Sequence, residues 1–297
     1  MKFGFLLPNY GPTASFQLLI KSARRAEELG FESIWSTDHV VVPKSDSIPY
    51  GNLIESIISL TIAASATKRV KLGTSIIILP QREPILLAKQ LASLDKISDG
   101  RLIFGAGVGW LKKEFDFLGV DFVKRGAIFE EYIQVLRTLW AGKSDFQGQY
   151  ISFNEALFSP LPPQGDRLPV WIAGNSKAAI RRAARIGNAW HPVGLSPTNL
   201  AEGVKELRSI SSGRNTVVAM RANIQLPGAA GMESQASKAS LDTWHNITGS
   251  LDAIHKDLVD FEKAGLEYLV LWFFHEDWKQ LDNSLTVFAE KLMPSFK

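Results

Sequence analysis

Residues 70–110 read VKLGTSIIILPQREPILLAKQLASLDKISDGRLIFGAGVGW. The run 70–79 is dense in isoleucine and nearly continuous in its apolar character, which is the pattern of a strand buried on both faces of a parallel sheet. Pro84 suits a first helical position, where its missing N–H costs nothing. Leu87, Leu91, Leu94 and Ile97 then recur at steps of three and four, so they share one helix face. Asp99-Gly100 breaks that helix, and 101–106 is a second apolar strand. Strand, helix and strand in this order form one βαβ unit, whose crossover is right-handed.

The same alternation extends in both directions. Toward the N-terminus lie strands at 3–7 and 33–37, with a helix on Phe16, Leu19, Ile20, Ala23 and Ala26 that Gly30 closes, and a second helix over 53–66. Toward the C-terminus lie strands at 168–173, 189–193, 216–226 and 268–273. Helices at about 126–141, then 176–186, 200–210, 251–264 and 285–292 separate and follow them. Eight strands, each followed by a helix, predict an α/β fold, a (β/α)8 barrel of the TIM type spanning 1–297 as one domain. The Gly- and Pro-rich stretch 142–168 and the irregular stretch 227–249 read as insertions after the fourth and seventh strands. The competing doubly wound sheet carries a three-glycine turn after strand one, and Pro8-Asn9-Tyr10-Gly11 lacks that spacing.

Composition narrows the chemistry. The 297 residues hold 33 Lys and Arg against 30 Asp and Glu, and a net charge of +3 over this length does not make a nucleic-acid surface. No apolar run reaches the ~18–20 residues of a membrane span, and no signal-peptide pattern is present. The chain has no cysteine, which excludes disulfides, thiolate nucleophiles and iron–sulfur ligation, and the expected location is cytoplasmic. Five histidines stand at 39, 191, 245, 255 and 275 without metal-ligand spacing, so no dedicated metal site is expected. Redox chemistry here requires an organic cofactor.

In a barrel of this kind the active site is built from strand C-terminal ends and the loops beyond them. That rule selects Asn9-Tyr10, Asp38-His39, the run 75–79, the run 105–110, Gly174-Asn175-Ser176, Trp190-His191, Asn223 and Phe274-His275-Glu276. A histidine near its ordinary pKa exchanges protons at neutral pH, and a carboxylate can hold a ring N–H. The bland alternative makes Asp38 a turn cap and His39 a rim filler. Gly105, Gly107 and Gly109 let a flat ring approach the backbone, or simply turn a tight corner. Gly174 and Ser176 open a helix and fit a phosphate at its N-terminus, although every such junction needs a cap. Trp110 and Trp190, at predicted strand ends, are candidate walls for a ligand.

The order of these residues resembles the bacterial luciferase-like monooxygenase family, and within it the coenzyme F420-dependent oxidoreductases. The matching stretches are Pro8-Asn9-Tyr10-Gly11, Trp35 with Asp38-His39, Lys71-Leu72-Gly73-Thr74, Asp99-Gly100-Arg101, Gly105 through Trp110, Glu114-Phe115, Arg125-Gly126, Gly174-Asn175-Ser176 and Trp190-His191-Pro192. The resemblance implies a deazaflavin, coenzyme F420, or alternatively FMN, held at the strand C-termini. It implies a cis Ser75–Ile76 bond behind the ring, Asp38, His39, Gly107 and Val108 beside it, and the cofactor phosphate over Gly174, Asn175 and Ser176. Tyr10, Trp110, Trp190 and His191 are then expected to line a substrate pocket, with His39 as the proton-transfer residue. The expected activity is hydride transfer between the deazaflavin and a small organic substrate. An FMN-dependent monooxygenase using O2, a flavin-binding storage or sensor protein, and a flavin-free lyase or isomerase are the other readings. A homodimer through the helices at 53–66 and 87–97 is also expected.

Overall fold

The computed structural model describes residues 1–211, 213–229 and 243–296, and within them the apolar runs pair side by side in chain order. The strands are β1 (Lys2–Leu6), β2 (Ser33–Ser36), β3 (Lys71–Thr74), β4 (Ile77–Ile78), β5 (Leu102–Gly107), β6 (Phe146–Gln147), β7 (Ser152–Phe153), β8 (Val170–Ala173), β9 (Ala189–His191), β10 (Val217–Gln225), β11 (Ile247–Thr248) and β12 (Tyr268–Phe273). In the order β12-β1-β2-β3-β5-β8-β9-β10 they are all parallel, and β10 pairs with β12 to close the ring. This is the expected eight-stranded (β/α)8 barrel. The helices are α1 (Phe16–Glu28), α2 (Ser47–Tyr50), α3 (Ser56–Ala66), α4 (Pro84–Ile97), α5 (Lys112–Leu118), α6 (Arg125–Trp140), α7 (Lys177–Ile186) and α8 (Pro197–Ile210), followed by Leu251–Lys263 and Trp278–Lys291.

Two layers of apolar packing follow from strand alternation. Outward-facing residues such as Phe5, Phe104 and Phe273 meet the helices, and each such side chain stabilises the fold by roughly 1.5–3 kcal/mol on full burial. Inward-facing residues fill the barrel. Trp35 lies against Trp171 with ring centroids 4.7 Å apart, and Tyr268 meets Trp171 edge-on at 5.0 Å. These rings fill the barrel beneath the C-terminal mouth.

The third strand differs from its expected form. The run 70–79 is two pieces, because Ser75–Ile76 is a cis peptide bond, as the resemblance implies. Gly73 pairs with Ile103 and Ile77 with Ala106, so residues 74–76 on one side face only 104 and 105 on the other. That is a one-residue bulge, and bulges re-aim side chains at barrel rims. The Thr74 hydroxyl stitches it shut by donating to Gly105 O (2.7 Å) and accepting from Gly105 N (2.9 Å). A Cβ on Gly105 would stand 1.9 Å from Thr74 O, so only glycine fits there.

Other boundaries moved for local reasons. The second helix begins at Ser56 and not at 53, because the Glu55 carboxylate caps it by accepting from Ile58 N at 2.8 Å. The last helix begins at Trp278 and not at 285, since Asp277 caps it through Gln280 N (2.8 Å). The apolar stripe beyond 285 concealed that earlier start. Helix α5 was not expected; it is one short turn-rich segment that buries Glu114 and Phe115. The insertion after the fourth strand contains the antiparallel pair β6–β7. Of the insertion after the seventh, residues 230–242 lie outside the described residues, and β11 pairs with the end of β10.

Candidate active site

The C-terminal ends of the strands surround a cavity of about 340 Å³. Of the residues singled out from the sequence, Asp38, His39, Ser75, Ile76, Gly107, Val108, Trp110, Gly174, Asn175 and His191 line it. Thr37, Tyr50, Arg221 and Trp244 line it as well and were not anticipated. Arg221 had left a signal, since it is a lone charge inside the apolar strand VVAMRANIQ.

Three expected residues take other places. Trp190 is fully buried outside the barrel wall, because along β9 it alternates with the inward-facing Ala189 and His191. It packs against α8 so closely that a Cβ on Gly203 would lie 2.2 Å from its ring. Its indole N–H donates to Gly174 O (2.9 Å), so Trp190 supports the cavity from behind and is not its wall. Tyr10 also lies beneath the cavity, stacked on Trp272 at 4.3 Å. Ser176 is exposed and caps α7, its hydroxyl accepting from Ala179 N at 3.2 Å, while the cavity lining stops at Asn175.

Asp38 and His39 point to different partners, as neighbours on extended backbone do. The Asp38 carboxylate accepts from Ile78 N (3.1 Å) and from the Arg82 guanidinium, which also pairs with Glu55 at 3.3 Å. Burial pushes the Asp38 carboxyl up, while Arg82 and the Ile78 N–H pull against that shift. Both oxygens are thus engaged in pinning β4 past the cis bond. Asp38 lines the cavity and also fixes the turn after the cis bond.

His39 is held differently. Its Nδ1 lies 2.9 Å from Oε2 of Glu114, a carboxylate with no exposed surface. The other oxygen of Glu114 accepts from Val40 N (2.6 Å) and Val41 N (3.2 Å). Burial pushes the Glu114 carboxyl up, but His39 and the two backbone N–H groups outweigh it and hold it below its ordinary value. An ionised carboxylate on Nδ1 fixes the imidazole's orientation and leaves Nε2 for a ligand. The His39 ring packs on Tyr50 at 4.4 Å and meets the edge of Trp110 at 6.3 Å. Trp110 is 55% exposed, at the cavity rim.

On the opposite wall, Ser75 Oγ lies 2.9 Å from Nε2 of His191. Burial, reinforced by the Arg221 charge, lowers the His191 pKa to about 3, so this ring is neutral at pH 7. Arg221 donates to Ser75 O (3.2 Å) and to the Tyr10 hydroxyl (3.0 Å). Thr37 Oγ1, His191 Nδ1 and Arg221 Nε are buried without hydrogen-bond partners. Such groups cost about 1–3 kcal/mol each when left unpaired, so this wall gives up stability to keep polar side chains beside the cavity.

A flat ring fits these features. Ile76 forms an apolar shelf, and Gly107 keeps the space beside it open, since a Cβ there would stand 2.8 Å from Ile76 Cδ1. Toward the outside, Asn175 is tied to Val193 by two side-chain bonds (2.8 and 2.9 Å), which holds the two loops together at the N-terminus of α7. The unpaired N–H groups of that helix end suit an anionic group.

Comparisons with known proteins agree with this architecture. The family profile described as luciferase-like monooxygenase matches residues 1–266. A protein of Mycobacterium tuberculosis is 31% identical over 199 residues, covering 62% of this chain and 68% of its own. The F420-dependent glucose-6-phosphate dehydrogenase of Amycolatopsis mediterranei is 30% identical over 177 residues, covering 58% of this chain and 52% of its own. Among solved structures, a monooxygenase from Streptomyces bottropensis superposes with a TM-score of 0.84 at 23% identity, each chain covered completely.

Proposed function

Because the chain belongs to the luciferase-like monooxygenase family, we propose that it is a coenzyme F420-dependent oxidoreductase acting on a small organic substrate. The observation that carries this reading is the cavity itself. Ile76, the space kept open at Gly107 and the polar side chains of Ser75, His191 and Arg221 line it together. A bound deazaflavin would supply a hydride carrier, and a bound FMN would add reactivity toward O2.

In this reading the chain's own residues divide the work. Ser75, Ile76, Gly107 and Val108 receive the ring, and Gly174 with the start of α7 receives the phosphate. Asp38 and Arg82 keep the bulge in place. His39, aimed by Glu114, presents Nε2 to the substrate and accepts or returns the proton that accompanies hydride transfer. Trp110, Tyr50 and Trp244 are aromatic surfaces against which an organic substrate can pack and shed water.

The FMN-dependent monooxygenase is the second reading, favoured by the description of the matched family. The experiment that separates them is titration of the apoprotein with coenzyme F420 and with FMN, followed by cofactor fluorescence. Tighter binding of F420 by tenfold or more supports the proposal. Tighter binding of FMN moves the assignment to the monooxygenase, and binding of neither overturns the cofactor reading. The protein is further proposed to pair as a homodimer through α3 and α4.

A further inference from the structure

Arg221 is a charge without a counter-charge. It projects from the middle of β10 into the barrel mouth, is 8% exposed, and lines the cavity. A guanidinium has five N–H donors in a fixed fork. Here two bonds are made, to Ser75 O and the Tyr10 hydroxyl, both neutral acceptors, and Nε has none. Among the described residues no carboxylate pairs with it.

The carboxylates around the cavity are already committed. Asp38 is bound by Arg82 and Ile78 N, and Glu114 by His39, Val40 N and Val41 N. His191, across the cavity wall, is neutral and adds no negative charge. Tyr10 stays protonated, because burial pushes its hydroxyl far up. The rings of Tyr10 and Trp244 lie 5.9 and 5.8 Å from the guanidinium carbon. Cation–π attraction at such distances offsets only part of the cost of a buried charge without a counter-charge. Among the described residues nothing balances the Arg221 charge, and an anionic group in the cavity would.

We propose that Arg221 forms an anion subsite in this cavity, which takes a carboxylate, an enolate-type oxygen or a ring-borne negative charge on a small flat organic group. The inference holds whether the cofactor is a deazaflavin or FMN, because it rests on the cavity alone. Two sources share this chemistry: an anionic substrate, and the pyrimidine end of a reduced cofactor ring. A contact from the terminal guanidinium nitrogens, each with a second N–H, to such a group is charge-assisted.

The test compares benzoate with benzamide, which have the same shape and differ in charge, by calorimetric titration of the apoprotein at low salt. Benzoate is expected to bind at least tenfold more tightly than benzamide. Arg221→Met should erase that preference, and Arg221→Lys should restore part of it. Equal or undetectable binding of the two probes by the unmodified protein overturns the proposal, as does a preference that survives Arg221→Met. The unmodified protein alone decides the first point, so a poorly folding variant does not obscure it. Because no cofactor is present, failure here leaves the F420 and FMN affinities as a separate result.

Two further arms identify the source. If benzoate preference persists after saturation with F420 or FMN, the subsite serves the substrate. If saturation abolishes it, and reduced FMN binds more tightly than oxidised FMN only while Arg221 is present, the subsite serves the cofactor ring.

Discussion

The imidazole Nδ1 of His39 and the carboxylate Oε2 of Glu114 stand 2.9 Å apart although 75 positions separate them in the chain. One comes from the loop after β2 and the other from α5, and the barrel brings both to one wall. The contact fixes the His39 ring by Nδ1 and leaves Nε2 directed away from Glu114, as the proposed proton-transfer role requires.

His39→Asn is expected to lower turnover by about 10²–10⁴-fold, the usual worth of general acid–base help, while cofactor affinity changes little. Glu114→Gln leaves the imidazole in place but removes the charge that fixes its tautomer. It should cost about tenfold or more in turnover and about 1–3 kcal/mol in stability, since the amide oxygen stays on Val40 and Val41 N–H, its NH2 turns to His39 Nδ1 and forces the other tautomer, and the charge assistance of all three bonds is lost. Turnover with a generic electron acceptor and urea denaturation measure the two effects. Loss of cofactor binding in His39→Asn would instead make His39 a binding residue.

Two glycines on the same strand should respond differently. Gly105→Ala drives a Cβ to 1.9 Å from a backbone carbonyl, so it should destabilise the whole barrel and lower the thermal midpoint sharply. Gly107→Ala meets only the flexible end of Ile76 at 2.8 Å and should leave the fold intact while weakening cofactor binding. Equal stability losses in both would contradict the assignment of Gly107 to the ring site.

Ser176→Asp places a negative charge at the start of α7. The helix itself tolerates this, because acidic N-caps are favourable there. A cofactor phosphate at the same helix end is repelled, so affinity should fall strongly while the melting temperature holds. Unchanged affinity would sink the phosphate placement.

Stability should fall with acid in a defined window. His191 has a pKa of about 3 in the fold against an ordinary value of 6.5, so between those limits the unfolded chain takes up a proton that the folded chain refuses. Stability is therefore lost as pH drops from about 6.5 toward 3, at up to roughly 1.4 kcal/mol per pH unit for one group. Burial lowers His275 in the same direction, and the depressed Glu114 carboxyl adds a loss once pH falls below its ordinary range. Urea midpoints at pH 7, 5.5 and 4.5 should show a shallower acid slope for His191→Gln than for the unmodified protein. Identical slopes would mean that His191 is protonated in the fold.

The proposed dimer is read from apolar residues left outward on α3 and α4: Ile58, Leu86 and Ile97 are each more than half exposed. Light scattering at micromolar concentration should give twice the chain mass, and Ile58→Lys combined with Leu86→Glu should reduce it to the monomer. A monomeric mass for the unmodified protein would refute the pairing.

The barrel was legible because its signals are local. A buried strand must be apolar, a helix face must repeat at 3.6 residues, and both patterns survive without knowledge of what they pack against. The rule that barrel chemistry sits at strand C-terminal ends then brought Asp38, His39, Gly107, Gly174 and His191 to one mouth. The cis bond at Ser75–Ile76 came from family resemblance, since nothing in the residues themselves specifies it. What the sequence left open is direction and partnership. Whether Trp190 or His191 faces the cavity depends on how the closed sheet orients β9, and a one-residue shift exchanges them. That Glu114 anchors His39, that Arg82 consumes Asp38, and that Arg221 is left without an anion are facts of distance between remote segments. Coulomb and hydrogen-bond terms depend on separation in space, and chain order carries no record of that until the ring of strands closes.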